Sequence, residues 1–244
     1  MIPKHIYYCW FGGKSLPKSV EKCIASWKKY CPDYEITEIN ESNFDLDAHP
    51  YTAWLYQRKK YAFVSDYVRL KVIYERGGIY LDTDVEIIRN LDPLLDYRCY
   101  FGFECKNAVA SGLGFGCEKG HPVLKIMLDS YDALVKNNPE PEPVICTKIN
   151  TDAFASYGLV LNGKTQYFDN HEIAVFAKDY FNPGKTDGVV NPTENTYSVH
   201  WYDASWKTPS MRFRIWLGKY FVKIFGDHPS VWLKKRLRIG SNKK

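Results

Sequence analysis

The chain has 244 residues, of which 45% are hydrophobic and 25% are charged, and both its composition and its length fit a soluble enzyme with one α/β domain. No stretch approaches the roughly 18 consecutive apolar residues of a membrane span, so no spanning helix is expected. Residues 1–13 have too short an apolar run and no small-residue cleavage site, so no secretory signal is expected. Aromatic residues reach 16%, which suits stacking on bases and sugar rings, although most of them would fill the core.

The formal net charge of +5 is unevenly distributed. Residues 207–244 carry eleven Lys and Arg against the single acid Asp227, so residues 1–206 are mildly acidic. We predict a catalytic domain over 1–206 and a basic, aromatic helical tail over 207–244. The tail favours a phosphate-bearing partner, and because no nucleic-acid reader motif is present we favour an anionic membrane surface over nucleic acid. The alternative is a terminal helix packed on the domain.

Seven cysteines are scattered without CxxC pairs or metal-ligand spacing. We interpret them as reduced thiols, which predicts a cytoplasmic protein that the tail holds peripherally on the inner face of the membrane. The cysteines are Cys9, Cys23, Cys31, Cys99, Cys105, Cys117 and Cys146.

In chain order, the pattern predicts a strand at 4–11, a helix at 20–30 and a second strand at 34–39. This β-α-β order is the start of a doubly wound sheet. A long helix at 61–76 ends at Gly77-Gly78 and feeds directly into the segment IYLDTDVEII. Strand-like pieces follow at 100–104 and 112–116, then a helix at 121–135 and a proline-rich loop at 137–143. Irregular short strands are predicted over 166–200.

The segment IYLDTDVEII carries two carboxylates, Asp82 and Asp84, where an apolar strand leaves the core. In open α/β sheets the carboxyl ends of strands are where ligands bind. We expect strand alternation to place both side chains on one face, and hard carboxylate oxygens suit Mn²⁺ or Mg²⁺. A diphosphate leaving group needs such an ion, because it gains negative charge as its bond to a sugar breaks. A solvated turn is the alternative.

Three further features favour a site for a nucleotide-sugar, the donor of the sugar, over a solvated turn. Asp66 and Arg69 share a face of the preceding helix, as a donor-binding pair or as an ordinary intrahelical ion pair. His200 is a candidate third metal ligand, or a structural histidine. Ser205-Trp206 would then lie over the diphosphate.

The segments IPKHIYYCWFGG, YAFVSDYVRLKVIYERGGIYLDTDVEIIRNLDPLL and VHWYDASW together resemble the DxD-containing sugar transferases of glycosyltransferase family 32. This family includes bacterial capsular and lipopolysaccharide transferases and, more distantly, the yeast initiating mannosyltransferase and the clostridial glucosylating toxins. The resemblance implies a GT-A fold with a Rossmann-like mixed sheet flanked by helices, a nucleotide-sugar donor, Mn²⁺ or Mg²⁺, and retention of anomeric configuration.

Carried over by position, the resemblance also assigns roles to individual residues. Asp66 and Arg69 would contact donor sugar and ribose, Asp82 would touch ribose and metal, and Asp84 would bind the metal, with His200 as a further ligand. Ser205 and Trp206 resemble the loop that closes over the diphosphate. The nucleobase site would be lined by three aromatic residues of the first strand and its loop, Tyr8, Trp10 and Phe11.

We therefore predict transfer of a hexose, from a UDP-sugar, to a glycan or lipid-linked saccharide in surface polysaccharide synthesis. Front-face attack needs no enzymatic nucleophile, whereas double displacement would need a carboxylate, for which Glu104 and Asp152 are candidates. A haloacid dehalogenase-type phosphatase that uses the DTDV segment is the rival enzyme class. A carbohydrate-binding or membrane-surface module is the non-enzymatic alternative.

Overall fold

The computed structural model describes residues 1–136, 138, 140–186 and 189–202, and Met1–Tyr202 form one compact unit. The predicted tail and Ser205-Trp206 lie outside the described residues. The helices are α1 Lys18–Tyr30, α2 Pro50–Gln57, α3 Tyr61–Arg76, α4 Pro122–Val135 and α5 Cys146–Ala155. The strands are β1 His5–Cys9, β2 Glu35–Ile39, β3 Gly78–Tyr80, β4 Val85–Ile87, β5 Cys99–Cys105, β6 Ala108–Ala110, β7 Phe115–Cys117, β8 Gln166–Phe168, β9 Ile173–Phe176, β10 Lys185–Thr186, β11 Val189–Val190 and β12 Ser198–His200.

Eight strands form one mixed sheet in the order β2-β1-β3-β7-β5-β9-β8, with β6 paired to β5. Strands β2, β1 and β3 are parallel, β7 runs antiparallel to both β3 and β5, and β5 is parallel to β9. Strands β1, β2, β3, β5 and β9 therefore all end at the same edge of the sheet. This is the edge at which an open α/β sheet places its ligands.

Each face of the sheet packs a separate apolar cluster. One cluster joins the sheet to α2, α3, α4 and α5, and includes the fully buried Tyr51, Val64, Leu124 and Phe154. The other joins the opposite face to α1 and β4, through residues such as Trp27 and Val85. The sheet is thus the middle layer of three, which is the expected consequence of strands that are apolar on both faces.

Helix α3 passes into β3 with only one residue between them. Gly77 ends the helix with φ +71°, and its N–H donates to Ile73 O. Gly78 has φ +116°, and a Cβ there would lie 2.7 Å from His5 O. Only glycine fits both positions, so the Gly-Gly pair lets the chain turn sharply and pair β3 with β1. The sequence placed this junction correctly.

The prediction of seven reduced cysteines is wrong for one pair. The antiparallel register of β5 and β7 sets Cys99 opposite Cys117, with Cα atoms 4.1 Å apart, and the two form a disulfide. The spacing of 18 residues in sequence gave no sign of this pairing, which tertiary structure alone creates. Cys9, Cys23 and Cys31 are buried free thiols.

Two helices, α2 and α5, were not predicted. Helix α2 is apolar around most of its surface and begins at Pro50, with the His49 side chain accepting from Tyr51 N as a cap. Helix α5 has no side-chain cap and contains β-branched residues, which weaken the local signal for a helix, although its buried residues Ile149, Ala153 and Phe154 recur at helical spacing. Among the described residues, no helix is long and apolar enough to cross a membrane.

Candidate active site

The two acids of the DxD segment lie in a turn between β3 and β4. Val85 N donates to Asp82 O at 3.0 Å, and the chain reverses over Thr83 and Asp84 before β4 begins. Strand alternation was therefore the wrong reason for expecting both carboxylates on one side. The turn brings them together at the carboxyl end of β3, where Asp82 and Asp84 are both partly exposed.

His200 joins the pair through strand pairing across 116 residues of sequence. Strands β12 and β4 are antiparallel with His200 opposite Val85, and Trp201 N donates to Asp84 O at 2.9 Å. His200 Nε2 lies 3.0 Å from Asp84 Oδ1. One ligand atom each from Asp82, Asp84 and His200 lie within 4.8 Å of one another, so the structure brings the three predicted metal ligands together.

The electrostatics of this trio favour a bound cation. Burial raises the pKa of Asp82, and the Asp84 charge raises it further, while Arg69 opposes both. Burial works against protonation of His200, but the hydrogen bond to Asp84 and the negative charges around it outweigh burial and raise its pKa. Each shift means that the site disfavours its own negative charge and attracts a positive one. Two carboxylates and an imidazole suit Mn²⁺ better than Mg²⁺, which prefers an all-oxygen shell.

Arg69 is the centre of a buried ion-pair network beside the trio. Its Nη2 lies 2.9 Å from Asp66 Oδ1 and 3.1 Å from Asp82 Oδ1, and only 4% of its side chain is exposed. Its Nε donates to Ser65 O at 3.0 Å, which fixes the guanidinium within α3. The ion pair of Asp66 and Arg69 is therefore not simply intrahelical, because it reaches across to the DxD turn.

Tyr80 contacts the candidate site but was not among the residues predicted from the sequence. Its hydroxyl donates to Asp82 Oδ1 at 3.0 Å, and the Arg69 guanidinium lies 4.8 Å above its ring. Tyr80 and Asp82 are two residues apart at the end of a strand, so period-two alternation could have indicated a shared face. Tyr80 and Arg69 together hold the Asp82 carboxylate in one orientation.

The surroundings of Asp66 raise the pKa of its carboxyl group. Burial raises its pKa to about 6, and the Asp82 charge adds to this against the opposing effect of Arg69. The Cys146 thiol donates to the Asp66 carboxylate, which brings the start of α5 to the site. Because α5 was not predicted, the sequence gave no indication of this contact.

Gly112 closes the site opposite Arg69. A Cβ at this position would lie 2.6 Å from Asp82 Oδ2 and 3.3 Å from Arg69 Nη1. Arg69 Nη1 is a buried donor with no partner among the described residues. A buried guanidinium N–H left unpaired is costly, which favours a site that a ligand oxygen completes.

The three aromatic residues expected at the nucleobase site do not share one face. Tyr8 packs against Trp27 on the α1 side, and its hydroxyl donates to Glu38 Oε2 at 2.9 Å. Phe11 belongs to the apolar cluster on the other side of the sheet. Trp10 is partly exposed, and its indole N–H donates to Lys14 O at 2.6 Å. The structure therefore separates Tyr8 from Phe11 and leaves Trp10 as the better stacking surface.

The two candidate nucleophiles occupy different environments. Asp152 lies on the outer surface of α5 and makes an exposed ion pair with Lys148 at 2.5 Å. Glu104 lies near the end of β5, where its negative charge acts on His200 and it hydrogen-bonds to Tyr202. Only Glu104 is therefore associated with the candidate metal site.

Comparison with known proteins identifies the segment that builds this site. Residues 17–101 match the family model of the glycosyltransferase sugar-binding region containing a DXD motif. This match covers about a third of the chain, and it includes the segment that carries the DXD turn. The family predicted from the sequence is confirmed, and the match contains Asp66, Arg69, Asp82 and Asp84.

Two curated glycosyltransferases resemble the chain. Inositol phosphoceramide mannosyltransferase 3 of Schizosaccharomyces pombe is 35% identical over 130 residues, which are 50% of this chain and 35% of that protein. The uncharacterized glycosyltransferase L373 of Acanthamoeba polyphaga mimivirus is 28% identical over 150 residues, 56% of this chain and 55% of that protein. The chain thus spans about a third to about half the length of these relatives.

Among solved structures, the PaToxG glycosyltransferase superposes with a TM-score of 0.51 at 22% identity. The superposition covers 64% of this chain and 69% of that one. At this identity the likeness establishes the fold, and the predicted GT-A fold with a mixed sheet flanked by helices is confirmed.

Proposed function

We propose that this DXD glycosyltransferase-family protein is a metal-dependent hexosyltransferase that uses a nucleotide-sugar donor. The observation that carries the proposal is the convergence of Asp82, Asp84 and His200 beside the buried Arg69–Asp66 pair. These groups come from α3, the β3–β4 turn and β12, and they meet at the carboxyl edge of the sheet. A phosphatase or a simple binding module has no need for this whole set, and the family match favours the transferase.

Each residue of the site has a separate role in binding the nucleotide-sugar donor. Asp84 and His200 would bind a divalent ion directly, and Asp82 would reach both ion and ribose. A bound ion would neutralise the charge that develops on the diphosphate. Arg69 and Tyr80 fix the Asp82 carboxylate, and Asp66 presents its carboxyl group to donor sugar hydroxyls. Mn²⁺ is the proposed ion because of the imidazole ligand.

We propose retention of configuration by front-face attack. The Asp152 carboxylate lies in an exposed ion pair, and the Glu104 carboxylate accepts the Tyr202 hydroxyl. Asp152 lies away from the candidate metal site, and front-face attack does not require Glu104 to act as a nucleophile. The departing phosphate would accept the proton of the attacking hydroxyl.

The donor is proposed to be a UDP-hexose and the acceptor a glycan or lipid-linked saccharide of a surface polysaccharide. The name of the fission yeast relative makes mannose a second candidate for the hexose. A panel of UDP- and GDP-hexoses, assayed for Mn²⁺-dependent nucleotide release, decides among them. Asp84→Asn is expected to lower release by at least about 100-fold, whereas the exposed Asp152→Asn serves as a control with wild-type activity.

Two results would contradict the proposal. One is release of phosphate from p-nitrophenyl phosphate with no turnover of any nucleotide-sugar, which is the behaviour of the phosphatase class. The other is nucleotide release by Asp84→Asn at the wild-type rate. Absence of both activities, together with Mn²⁺ affinity unaffected by Asp84→Asn, would favour a binding module.

We further propose that the basic tail over 207–244 keeps the enzyme peripheral on the cytoplasmic face of a membrane, close to its acceptor. Co-sedimentation with vesicles containing phosphatidylserine compares the full chain with a chain truncated after residue 206. Binding of the full chain alone is expected, and it should weaken with added salt. Equal binding of the two chains would contradict this role.

A further inference from the structure

Glu104 is a carboxylate at the site edge that is not a member of the metal-ligand trio. It lies one residue from the end of β5, and β5 ends at the same edge as β3, which leads to Asp82. The charge of Glu104 acts on His200. Glu104 therefore lies at the same edge of the sheet as the candidate metal centre, on the side formed by the later strands.

The neighbour that engages Glu104 is Tyr202. The Tyr202 ring lies 4.0 Å from the His200 ring, and its hydroxyl accepts from Asn182 Nδ2 at 2.6 Å and donates to Glu104. Asn182 Nδ2 also approaches Glu104 O at 3.4 Å. Tyr202 adopts φ +54°, which is unfavourable for a residue with a side chain. A strained backbone held by side-chain hydrogen bonds is typical of a functional site rather than of an ordinary turn.

The remaining bonding capacity of Glu104 indicates the chemistry of its ligand. An ionised carboxylate has about four lone-pair positions, and the Tyr202 hydroxyl takes one of them. Glu104 is only partly buried, so it can accept further hydrogen bonds from a ligand. Sugar hydroxyls are such donors. A carboxylate or phosphate placed directly against Glu104 would be repelled by its charge, because Glu104 is not among the groups proposed to hold the cation.

We propose that Glu104, held by Tyr202, binds a hydroxyl of a neutral saccharide acceptor next to the donor site. This inference rests on the proposed glycosyltransferase function and names the acceptor side of that same site. The charge pattern selects acceptors whose sugar carries no acidic group near the reacting hydroxyl. Glu104 positions the acceptor in this scheme and forms no covalent bond.

The test measures transfer separately from donor hydrolysis. The full chain is assayed with Mn²⁺ and the active nucleotide-sugar, first without acceptor and then with the methyl glycosides of glucose, galactose, mannose and glucuronic acid as probes. For Glu104→Gln we expect the KM for the neutral glycosides to rise by about tenfold, and the ratio of transfer to hydrolysis to fall by a similar factor. Methyl glucuronide should be the poorest acceptor for the wild-type chain.

Two matched variants separate this role from a structural one. Glu86 is a comparable carboxylate that accepts the Trp201 indole N–H at 2.9 Å on the α1 side, so Glu86→Gln should leave the acceptor KM unchanged. Tyr202→Phe removes the hydroxyl that orients Glu104 and should raise the acceptor KM in the same direction as Glu104→Gln, by a smaller factor.

Three outcomes overturn the inference. A Glu104→Gln chain with the wild-type acceptor KM would do so, as would efficient transfer to methyl glucuronide. Loss of hydrolysis and transfer in equal proportion would instead identify Glu104 as part of the donor machinery. Absence of nucleotide release in the wild-type chain itself would refute the proposed function, which is a separate failure.

Discussion

Replacement of Gly112 by alanine tests whether the orientation of Asp82 controls the site. The new Cβ would lie 2.6 Å from Asp82 Oδ2, whereas ordinary contact begins at 3.4 Å. The carboxylate must therefore move by about 0.8 Å. The same Cβ would lie 3.3 Å from Arg69 Nη1, which leaves the guanidinium little freedom to follow. A displacement of about 1 Å at a catalytic group typically costs about 100-fold in rate.

The expected result is a chain that folds but binds Mn²⁺ more weakly. Gly112 has no positive φ that alanine would strain, and the clashing atom is the end of a side chain that can rotate. We expect Tm to fall by no more than about 4 °C, the equivalent of about 1 kcal/mol, because the backbone need not move. We expect the Kd for Mn²⁺, measured by calorimetry, to rise by at least about tenfold and nucleotide release to fall by about 100-fold.

The matched control is Gly184→Ala. Gly184 also lacks a positive φ, and a Cβ there would meet nothing within 4 Å. This variant should match the wild type in Tm, Mn²⁺ affinity and turnover. The reasoning that Asp82 is held against Gly112 is refuted if the Mn²⁺ affinity and the turnover rate of Gly112→Ala lie within twofold of those of the wild type and of Gly184→Ala.

Four other measurements test other parts of the structure. Burial lowers the pKa of His121 to about 4, so stability present above the unfolded value near 6.5 should be lost as the pH falls toward 4, by about 3 kcal/mol. Urea unfolding across this pH range should show that loss of unfolding free energy in the wild type and not in His121→Asn. Equal losses in the two chains would mean that other ionisable groups cause the pH dependence. Alkylation in denaturant without reductant should modify five of the seven cysteines and spare Cys99 and Cys117, whereas modification of all seven would contradict the disulfide. Tyr80→Phe should weaken Mn²⁺ binding by about tenfold with little change in Tm, because the phenol bond to Asp82 is lost without a cavity; unchanged affinity would leave the orientation to Arg69 alone. Mn²⁺ at about 100 times its Kd should stabilise the wild type by about 2.7 kcal/mol and Asp84→Asn hardly at all, as calorimetric melting would measure.

The sequence was sufficient to predict what local patterning controls. The β-α-β start, α3 with its Gly-Gly end, and the exit of β3 at Asp82 all follow from periodicity and turn residues. The DxD pair was also located correctly, although a turn and not strand alternation brings the two side chains together. His200 was proposed as a third ligand because imidazole suits such an ion, but the β4–β12 register that joins it to the pair spans 116 residues and could not be predicted.

Features that arise from tertiary packing could not be predicted in this way. The Cys99–Cys117 bond depends on the antiparallel insertion of β7 between two strands that run the other way. The separation of Tyr8 from Phe11 follows from which residues of β1 and its loop face each side of the sheet, which the loop geometry decides. Helix α5 has no capping side chain and follows a proline-rich loop, and nothing local to the sequence places its first residue, Cys146, against Asp66.

The buried charges show how the site is prepared for a ligand. Arg69 is nearly inaccessible, contacts two carboxylates and still has an unpaired N–H, and burial keeps the pKa of Asp66 near 6. Hydrophobic residues of the same size would stabilise such a position better, because desolvation of an ion pair offsets most of its Coulomb energy. The arrangement fits the proposed role of these groups in binding a ligand better than a role in stabilising the fold. Among the described residues, none accepts a hydrogen bond from Arg69 Nη1. An oxygen of a bound nucleotide-sugar that accepts this hydrogen bond would remove the desolvation cost of the unpaired N–H, which would add to the free energy of binding.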